Sequence, residues 1–357
     1  MSLTGLPLLV LLVASAILIP LVLASTWASR PHGLLGQVLR LIAMVVAQLT
    51  AVAAVGVWAN DTFGFYDNWT DLLGGSQVRS IHAEANGSLP MGGAEGRVIA
   101  LTVNGKASGA SGIVLVWLPP QYDQPAFKKT RFPVLVMLPG QPGTPEGDFS
   151  QFQFAQQATQ AIRSGAVKPF VGVFPPLMIA PPRDTECTNV PHGPQAETWL
   201  ANDVRTAVLR DVRVTPDGKR WSAAGWSTGG FCAAKLLLRH RADWNAAAVI
   251  GGYFDAETDP STGNLFGGSA QLRRENSPIW LVRQSLNLDA NLLIVVSKTD
   301  RHSYDGVHYA DSKQMIAQTR GYPNVATIVL PSGGHNYTLY RQTLPAVLAW
   351  CARTAGL

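Results

Sequence analysis

The sequence predicts an α/β fold, a mostly parallel central sheet flanked by helices, preceded by a two-helix transmembrane hairpin. Three observations predict it. From Arg97 onward, short apolar runs rich in β-formers alternate with stretches of helical spacing, the pattern of β-α-β units. Several runs, such as Val134 to Leu138, are apolar at every position, as strands buried on both faces are. Upstream, two uncharged segments of about 20 residues are each long enough to cross a hydrocarbon core.

The first of these lies in residues 1–29, which carry no charged side chain, with Leu6 to Leu23 nearly all apolar. The second is residues 41–60, from Leu41 through Met44, Leu49 and Val55 to Trp58. A buried core helix is the alternative for both. A cleaved signal peptide competes for the first, because Leu23-Ala24-Ser25 and Trp27-Ala28-Ser29 supply small residues, although a basic n-region is lacking. Arg30 and Arg40 sit between the segments, whereas Asp61, Asp67 and Asp71 follow the second before Arg79. The positive-inside rule therefore puts the connecting loop in the cytoplasm and residues 61–357 outside. Three units are expected: the hairpin in 1–60, an extracytoplasmic linker in 61–94 rich in Asp, Asn, Gly and Ser, and a catalytic domain in 95–357.

Within that domain Val98 to Val103 and Ile113 to Leu118 are β-rich and separated by Gly105-Lys106-Ala107-Ser108-Gly109, which suggests a hairpin. Val134 to Leu138 is the next strand. A helix over Phe152 to Ser164 leads to a run at Phe170 to Phe174. Helical spacing returns over Glu197 to Arg213 through Trp199, Val204 and Val208. A strand over Arg220 to Gly225 follows, then three more apolar runs at Ala246 to Gly251, Asn291 to Ser297 and Ala326 to Leu330. Leu344 to Thr354 forms the terminal helix.

Composition narrows the function. Of 357 residues, 47% are hydrophobic and only 14% charged, an unusual balance for a cytosolic enzyme and one that fits a membrane-embedded part. The net charge of +5 falls to +3 (26 − 23) once Arg30 and Arg40 are set aside, with both signs interspersed, so there is no nucleic-acid footprint. Cys187, Cys232 and Cys351 are too few for a disulfide scaffold and have no C-x-x-C spacing for zinc. An oxidising exterior permits one bridge, for which Cys187 with Cys232 is favoured, since the first lies in a polar loop that could fold over the turn just before the second. Two buried free thiols are the alternative.

Gly225-Trp226-Ser227-Thr228-Gly229 fits G-x-S-x-G, in which a sharp strand-to-helix turn holds the serine in a strained conformation and the residues two either side must be small. The run before it is strand-like, and Phe231 to Leu238 after it is helical. A Gly-rich turn with an incidental serine is the bland alternative. A serine hydroxyl is a poor nucleophile at neutral pH, so it needs a base and a group to orient that base. In the α/β-hydrolase arrangement the order is Ser, acid, His. His335 is the candidate base, because it alone follows the last strand, in the flexible Pro331-Ser332-Gly333-Gly334 loop; His240 ends a polar helix, and His302 and His308 lie in a charged loop. Asp300, just past a strand's carboxyl end, is the candidate acid and Asp305 the runner-up. A metal held by His302, Asp305, His308 and Asp311 is a further alternative, weighed against simple hydration. An oxyanion needs donors worth about 2.7–4 kcal/mol each. Thr228 N–H is one; from Pro139-Gly140-Gln141-Pro142-Gly143, where proline has no N–H, Gln141 is favoured with Gly140 as fallback.

Val114-Leu115-Val116-Trp117-Leu118-Pro119-Pro120-Gln121-Tyr122, the segment Phe132 to Gly143, the turn Gly225 to Gly230 and the ending Gly333-Gly334-His335-Asn336 resemble the esterase D group, which includes mycolyltransferases of the antigen 85 type. The likeness covers roughly residues 95–357. It implies an α/β-hydrolase fold without metal or organic cofactor, a Ser-acid-His triad matching Ser227, Asp300 and His335, and an oxyanion donor matching Gln141. It also implies cleavage of carboxylic or thiol esters, or acyl transfer to a sugar. The sequence departs at Pro139, where many members have Asp or His, and at Thr228, where Met or Leu is common. The expected protein is a membrane-embedded esterase acting on a small-molecule or lipid ester, with no nucleic-acid partner. Acyl transfer to an envelope carbohydrate and a catalytically silent membrane-anchored binding protein are the rivals.

Overall fold

The computed structural model describes residues 3, 6–27, 33–63, 69–73, 88–89, 94–285, 289–300 and 308–357. Most of the expected linker, 61–94, lies outside them, as do His302 and Asp305. Two long apolar helices, Leu6–Ser25 and Leu34–Phe63, pack against each other near the N-terminus. At 1.5 Å per residue, twenty residues span about 30 Å, the thickness of a hydrocarbon core. Their side chains are largely uncovered, with Leu6 74%, Leu34 79% and Val52 71% exposed. A core helix would have buried them, so that alternative for the two segments falls away. Arg40, expected in the connecting loop, lies in the second turn of Leu34–Phe63, because the helix begins seven residues before the uncharged run; its guanidinium lies 4.4 Å from the Trp27 ring centroid and donates to the Trp27 carbonyl at 2.7 Å.

Among the described residues the sheet has nine strands: β1 (Ser88–Leu89), β2 (Arg97–Asn104), β3 (Ser111–Leu118), β4 (Val134–Leu138), β5 (Val171–Phe174), β6 (Trp221–Trp226), β7 (Ala246–Ile250), β8 (Asn291–Ser297) and β9 (Val325–Leu330). Their spatial order is β1-β2-β3-β5-β4-β6-β7-β8-β9. From β5 to β9 every neighbouring pair is parallel; β1, β2 and β3 add an antiparallel edge, with β2 and β3 forming the expected hairpin. Side-chain alternation divides the core into two layers. Val114, Val116, Val134 and Val136 face one layer with Phe231 and Leu236 of the helix Thr228–Arg239. Leu115, Trp117, Leu135 and Met137 face the other with the helices Phe154–Arg163 and Leu344–Ala355. Because both faces of the central strands are covered, they read in sequence as unbroken apolar runs.

The structure shifts the bounds of two expected helices and moves one loop residue into a helix. A separate helix, Pro145–Gln151, precedes the one expected over Phe152 to Ser164, which runs over Phe154–Arg163, with Gln153 at φ 48° between them. Thr144 caps the first, its hydroxyl accepting the Gly147 N–H at 3.1 Å, with proline at the first helical position. The helix over Glu197 to Arg213 starts at Ala196, ends at Asp211 and carries a wide turn over Trp199–Val204. His308, expected in a loop, opens the helix His308–Gln318. Asp311, in that helix's first turn, accepts the Phe254 N–H and is half-buried, which raises its pKa to about 6. No three His, Cys, Asp or Glu side chains among the described residues are grouped as metal ligands would be.

This topology gathers the carboxyl ends of β4, β6, β8 and β9 at one edge of the sheet, where ligands collect in open α/β sheets. Gly140 and Gln141 follow β4, Ser227 follows β6, Asp300 follows β8 and His335 follows β9.

Candidate active site

Strand β6 ends at Trp226 and the next helix begins at Thr228, so Ser227 alone redirects the chain. It does so at φ 56° and ψ −126°, a backbone region that costs on the order of 1–3 kcal/mol. Sterics dictate the glycines around it. A Cβ on Gly225 would stand 2.0 Å from the Gly229 carbonyl oxygen, and one on Gly229 would stand 2.0 Å from that of Leu138. The first turn of the helix is thus pressed onto the ends of β6 and β4. Hydrogen bonds hold the strained residue: Ser227 N–H donates to Ile250 O at 3.0 Å, and its carbonyl accepts from Gly230 and Phe231.

Ser227 Oγ lies 3.0 Å from His335 Nε2, and His335 Nδ1 lies 2.9 and 3.1 Å from the two oxygens of Asp300. All three residues are buried, at 5%, 5% and 1% exposure. With Asp300 ionised, Nδ1–H donates to the carboxylate and Nε2 faces the serine hydroxyl as an acceptor. The loops bearing acid and base are stapled together. Ser297 and Thr299 hydroxyls both donate to Gly333 O at 2.9 Å, and Gly333 N–H donates back to Thr299 Oγ1 at 2.8 Å.

Three aromatic residues of the site escaped sequence reasoning. Tyr340 donates its hydroxyl to Asp300 Oδ2 and accepts the Ser297 N–H at 3.2 Å. Burial, then the charge of Asp300, push its phenol pKa well above the ordinary range, so it stays a donor. The Trp226 ring stacks on His335 with centroids 4.2 Å apart, and Tyr337 lies against Trp226 at 4.9 Å. The faint signal was Asn336, whose side chain caps the helix Tyr337–Arg341 by accepting Leu339 N–H at 2.8 Å and so turns both tyrosines inward.

The loop after β4 lies against the nucleophile: a Cβ on Gly140 would stand 2.8 Å from Trp226 Nε1 and 3.0 Å from Ser227 Cβ. The N–H groups of Gln141, Gly140 and Thr228 donate to no acceptor among the described residues. Tyr337 ties this loop to the His335 loop by donating to Asp148 Oδ1 at 2.6 Å. Asp148 is fully buried, and burial pushes its carboxyl up to about 7. An acid whose folded pKa exceeds its unfolded value binds more protons when folded, so its contribution to stability falls as pH rises from about 4 to 7 and is level above. Between pH 5 and 8 the full chain in detergent is expected to lose on the order of 2 kcal/mol that Asp148→Asn does not lose. Urea unfolding at both pH values measures this, and equal losses in the two proteins would refute it.

Cys187 and Cys232 are bridged, with Cα atoms 5.9 Å apart, so the free-thiol alternative for this pair is excluded. Cys351 is a free thiol, and burial pushes its pKa to about 12.

A family described as "Putative esterase" matches residues 107–351. An uncharacterized protein of Corynebacterium glutamicum is 25% identical over 265 residues, which are 68% of this chain and 57% of the relative, so the chain spans little more than half of that protein's length. An S-formylglutathione hydrolase from Agrobacterium tumefaciens superposes with a TM-score of 0.63 at 15% identity, covering 76% of this chain and 99% of the other. MPT51 of Mycobacterium tuberculosis superposes with a TM-score of 0.55 at 16% identity, covering 71% and 97%. At such identities the likeness carries the fold, and it is the α/β-hydrolase fold of the esterase D and antigen 85 group that the sequence motifs resemble.

Proposed function

We infer that this chain, which belongs to the Esterase family and is an ester-cleaving hydrolase or a related acyltransferase, is a membrane-anchored esterase that forms an acyl-enzyme on Ser227. The observation that carries this reading is the continuous contact from Ser227 through His335 to Asp300. In the proposed cycle His335 Nε2 takes the hydroxyl proton as Ser227 Oγ attacks the ester carbonyl. The N–H groups of Thr228 and Gln141 receive the negative charge on the former carbonyl oxygen. Collapse breaks the bond to the leaving alkoxide, which takes the proton back from His335. Water, deprotonated by the same imidazole, then attacks the acyl carbonyl; collapse breaks the bond from the acyl carbon to Ser227 Oγ, which takes the proton back from His335 as the free acid leaves.

The helices Leu6–Ser25 and Leu34–Phe63 have the length and apolar character of an anchor, and Arg30 between them together with Arg40 in the second turn of the second helix favour a cytoplasmic side for that end. The Cys187–Cys232 bridge independently supports an oxidising compartment for the catalytic domain. A small-molecule or lipid ester is the proposed substrate.

Turnover of a chromogenic short-chain ester by the full chain in detergent tests the activity, and a rate no higher than buffer would overturn it. With a labelled acyl donor and added sugar, label recovered as free acid supports hydrolysis, whereas label on the sugar replaces it with acyl transfer. For topology, the protein is expected to stay in the membrane pellet after alkaline carbonate washing and to be cut by protease added to sealed right-side-out vesicles. Release into the wash would remove the anchor, and protection would reverse the orientation.

A further inference from the structure

Beside the nucleophile turn lies a buried polar cluster that the acyl-transfer steps do not use. On the helix Thr228–Arg239, the residues Thr228, Cys232 and Lys235 are four and three apart and share one face. All three are attached to the same short piece of chain, residues 184–188. Cys232 is bonded to Cys187. Lys235, with no exposed surface, gives its ammonium to the Glu186 carbonyl at 3.0 Å, Thr188 Oγ1 at 3.0 Å and Asn276 Oδ1 at 2.8 Å. The Thr228 hydroxyl lies 3.4 Å from that of Tyr253, which donates to Glu186 Oε1 at 2.7 Å. Glu186 Oε2 accepts the Glu257 N–H at 3.1 Å, and Asp184 Oδ1 accepts the Glu186 N–H at 2.8 Å.

The segment would not hold this shape unaided. Glu186 and Cys187 sit in succession at φ 42° and 45°, a region that residues bearing a Cβ rarely adopt. Nor is the seam a cheap way to pack a helix. It buries two carboxyl groups and an ammonium, and burial drives the Glu186 acid well above its ordinary range and the Lys235 amine down to about 8. Apolar side chains would pack the helix as firmly. What a satisfied polar network adds is orientation, because each bond fixes a direction as well as a distance. Its end point is Thr228, whose N–H is available at the nucleophile and has to meet a developing oxyanion to within about 0.5 Å.

We propose that residues 184–188 are a brace that sets the position of Thr228, with Glu186 and Tyr253 as positioning residues and the Cys187–Cys232 bridge as the clamp that holds them. The proposal rests on the acyl-enzyme reading above. Since an oxyanion donor is engaged only as charge develops, the brace acts on the transition state and leaves binding of the ester unchanged.

Tyr253→Phe removes the hydroxyl linking Glu186 to Thr228 but keeps the ring, which stacks on Phe231 with centroids 5.0 Å apart. Turnover of a chromogenic ester by this variant in the full chain is expected to fall about tenfold, short of the 10²–10³ for outright loss of a donor, with KM within about twofold. Affinity for a trifluoromethyl ketone, which adds to Ser227 and places a true oxyanion at the site, is expected to fall by the same factor as kcat/KM. Glu186→Gln should move both quantities in the same direction, and reduction of the wild-type bridge should do so reversibly on reoxidation. Wild-type kinetics in both variants and after reduction overturn the brace. So does a loss confined to KM, or a fall in turnover without the matching loss of inhibitor affinity. Ser227→Ala is the separating control: retained turnover there sinks the acyl-enzyme reading, whereas a dead Ser227→Ala beside wild-type behaviour in Tyr253→Phe and Glu186→Gln sinks the brace alone.

Discussion

Ser227→Ala is expected to lower kcat for a chromogenic ester by roughly 10⁵–10⁶-fold while leaving the fold intact. The substitution deletes one oxygen and nothing else. Alanine has the same Cβ at φ 56°, so the backbone strain at the turn is unchanged, and the flanking contacts of Gly225 and Gly229 do not involve the side chain. What disappears is the atom 3.0 Å from His335 Nε2. Without it no acyl-enzyme forms, and the remaining acceleration is that of oriented donors acting on direct attack by water, about 10³–10⁴ over the uncatalysed rate. A fluorophosphonate reports the same atom independently of substrate choice. The wild-type chain should be labelled on the peptide containing Ser227, and the variant should not. Turnover within tenfold of wild type, or persistent labelling of the variant, would remove Ser227 from its proposed role, and an unlabelled wild type would point to the silent binding protein instead.

The parts of this fold legible in the sequence are those whose cause is local. Val134–Leu138 and Asn291–Ser297 read as strands because a strand covered on both faces has apolar side chains at every position. The turn at Ser227 was legible because a Cβ at Gly225 or Gly229 would strike backbone, and that constraint acts within five residues. The choice between Asp300 and Asp305 was not local. It depends on how the β8 and β9 loops are stapled through Ser297, Thr299 and Gly333, thirty-odd residues apart. Tyr340 on Asp300, Trp226 on His335 and the Glu186 brace were likewise invisible, because each contact joins segments that only the finished sheet brings together. The separate helix Pro145–Gln151 escaped for a different reason. It is set off from Phe154–Arg163 by Gln153 at φ 48°, and a single left-handed residue leaves no compositional trace. The cysteine pair lay between these cases: spacing alone left it open, and it is the fold that brings Cys187 and Cys232, 45 residues apart in sequence, to a Cα separation of 5.9 Å.

Asp300→Asn is expected to lower kcat by about 10⁴-fold, through the tautomer of His335 rather than through its position. Asp300 Oδ2 receives two donors, the Tyr340 hydroxyl and His335 Nδ1–H, while Oδ1 lies 3.1 Å from the same nitrogen. An asparagine there keeps one acceptor and gains an NH₂. Tyr340 is a fixed donor, with its phenol pKa held far above neutrality, and so it claims the amide oxygen. The NH₂ then takes the Oδ1 place, 3.1 Å from Nδ1, where its hydrogens oppose an Nδ1–H and favour the tautomer in which Nδ1 accepts, although the amide oxygen stays 2.9 Å away. The proton moves to Nε2, which now presents a donor to Ser227 and has no lone pair for the serine proton. Removing Tyr340's hydroxyl as well frees the amide to flip, so that its oxygen can face Nδ1–H again. Tyr340→Phe alone should cost about tenfold, since Asp300 loses one of its donors, yet the double variant should be about tenfold faster than Asp300→Asn by itself. Single-site effects that simply add, giving a double variant slower than either parent, would mean that the tautomer is not what Asp300 controls. The sign of that coupling, measured from four kcat values at one pH, decides between a carboxylate that orients a proton and one that merely fills its place.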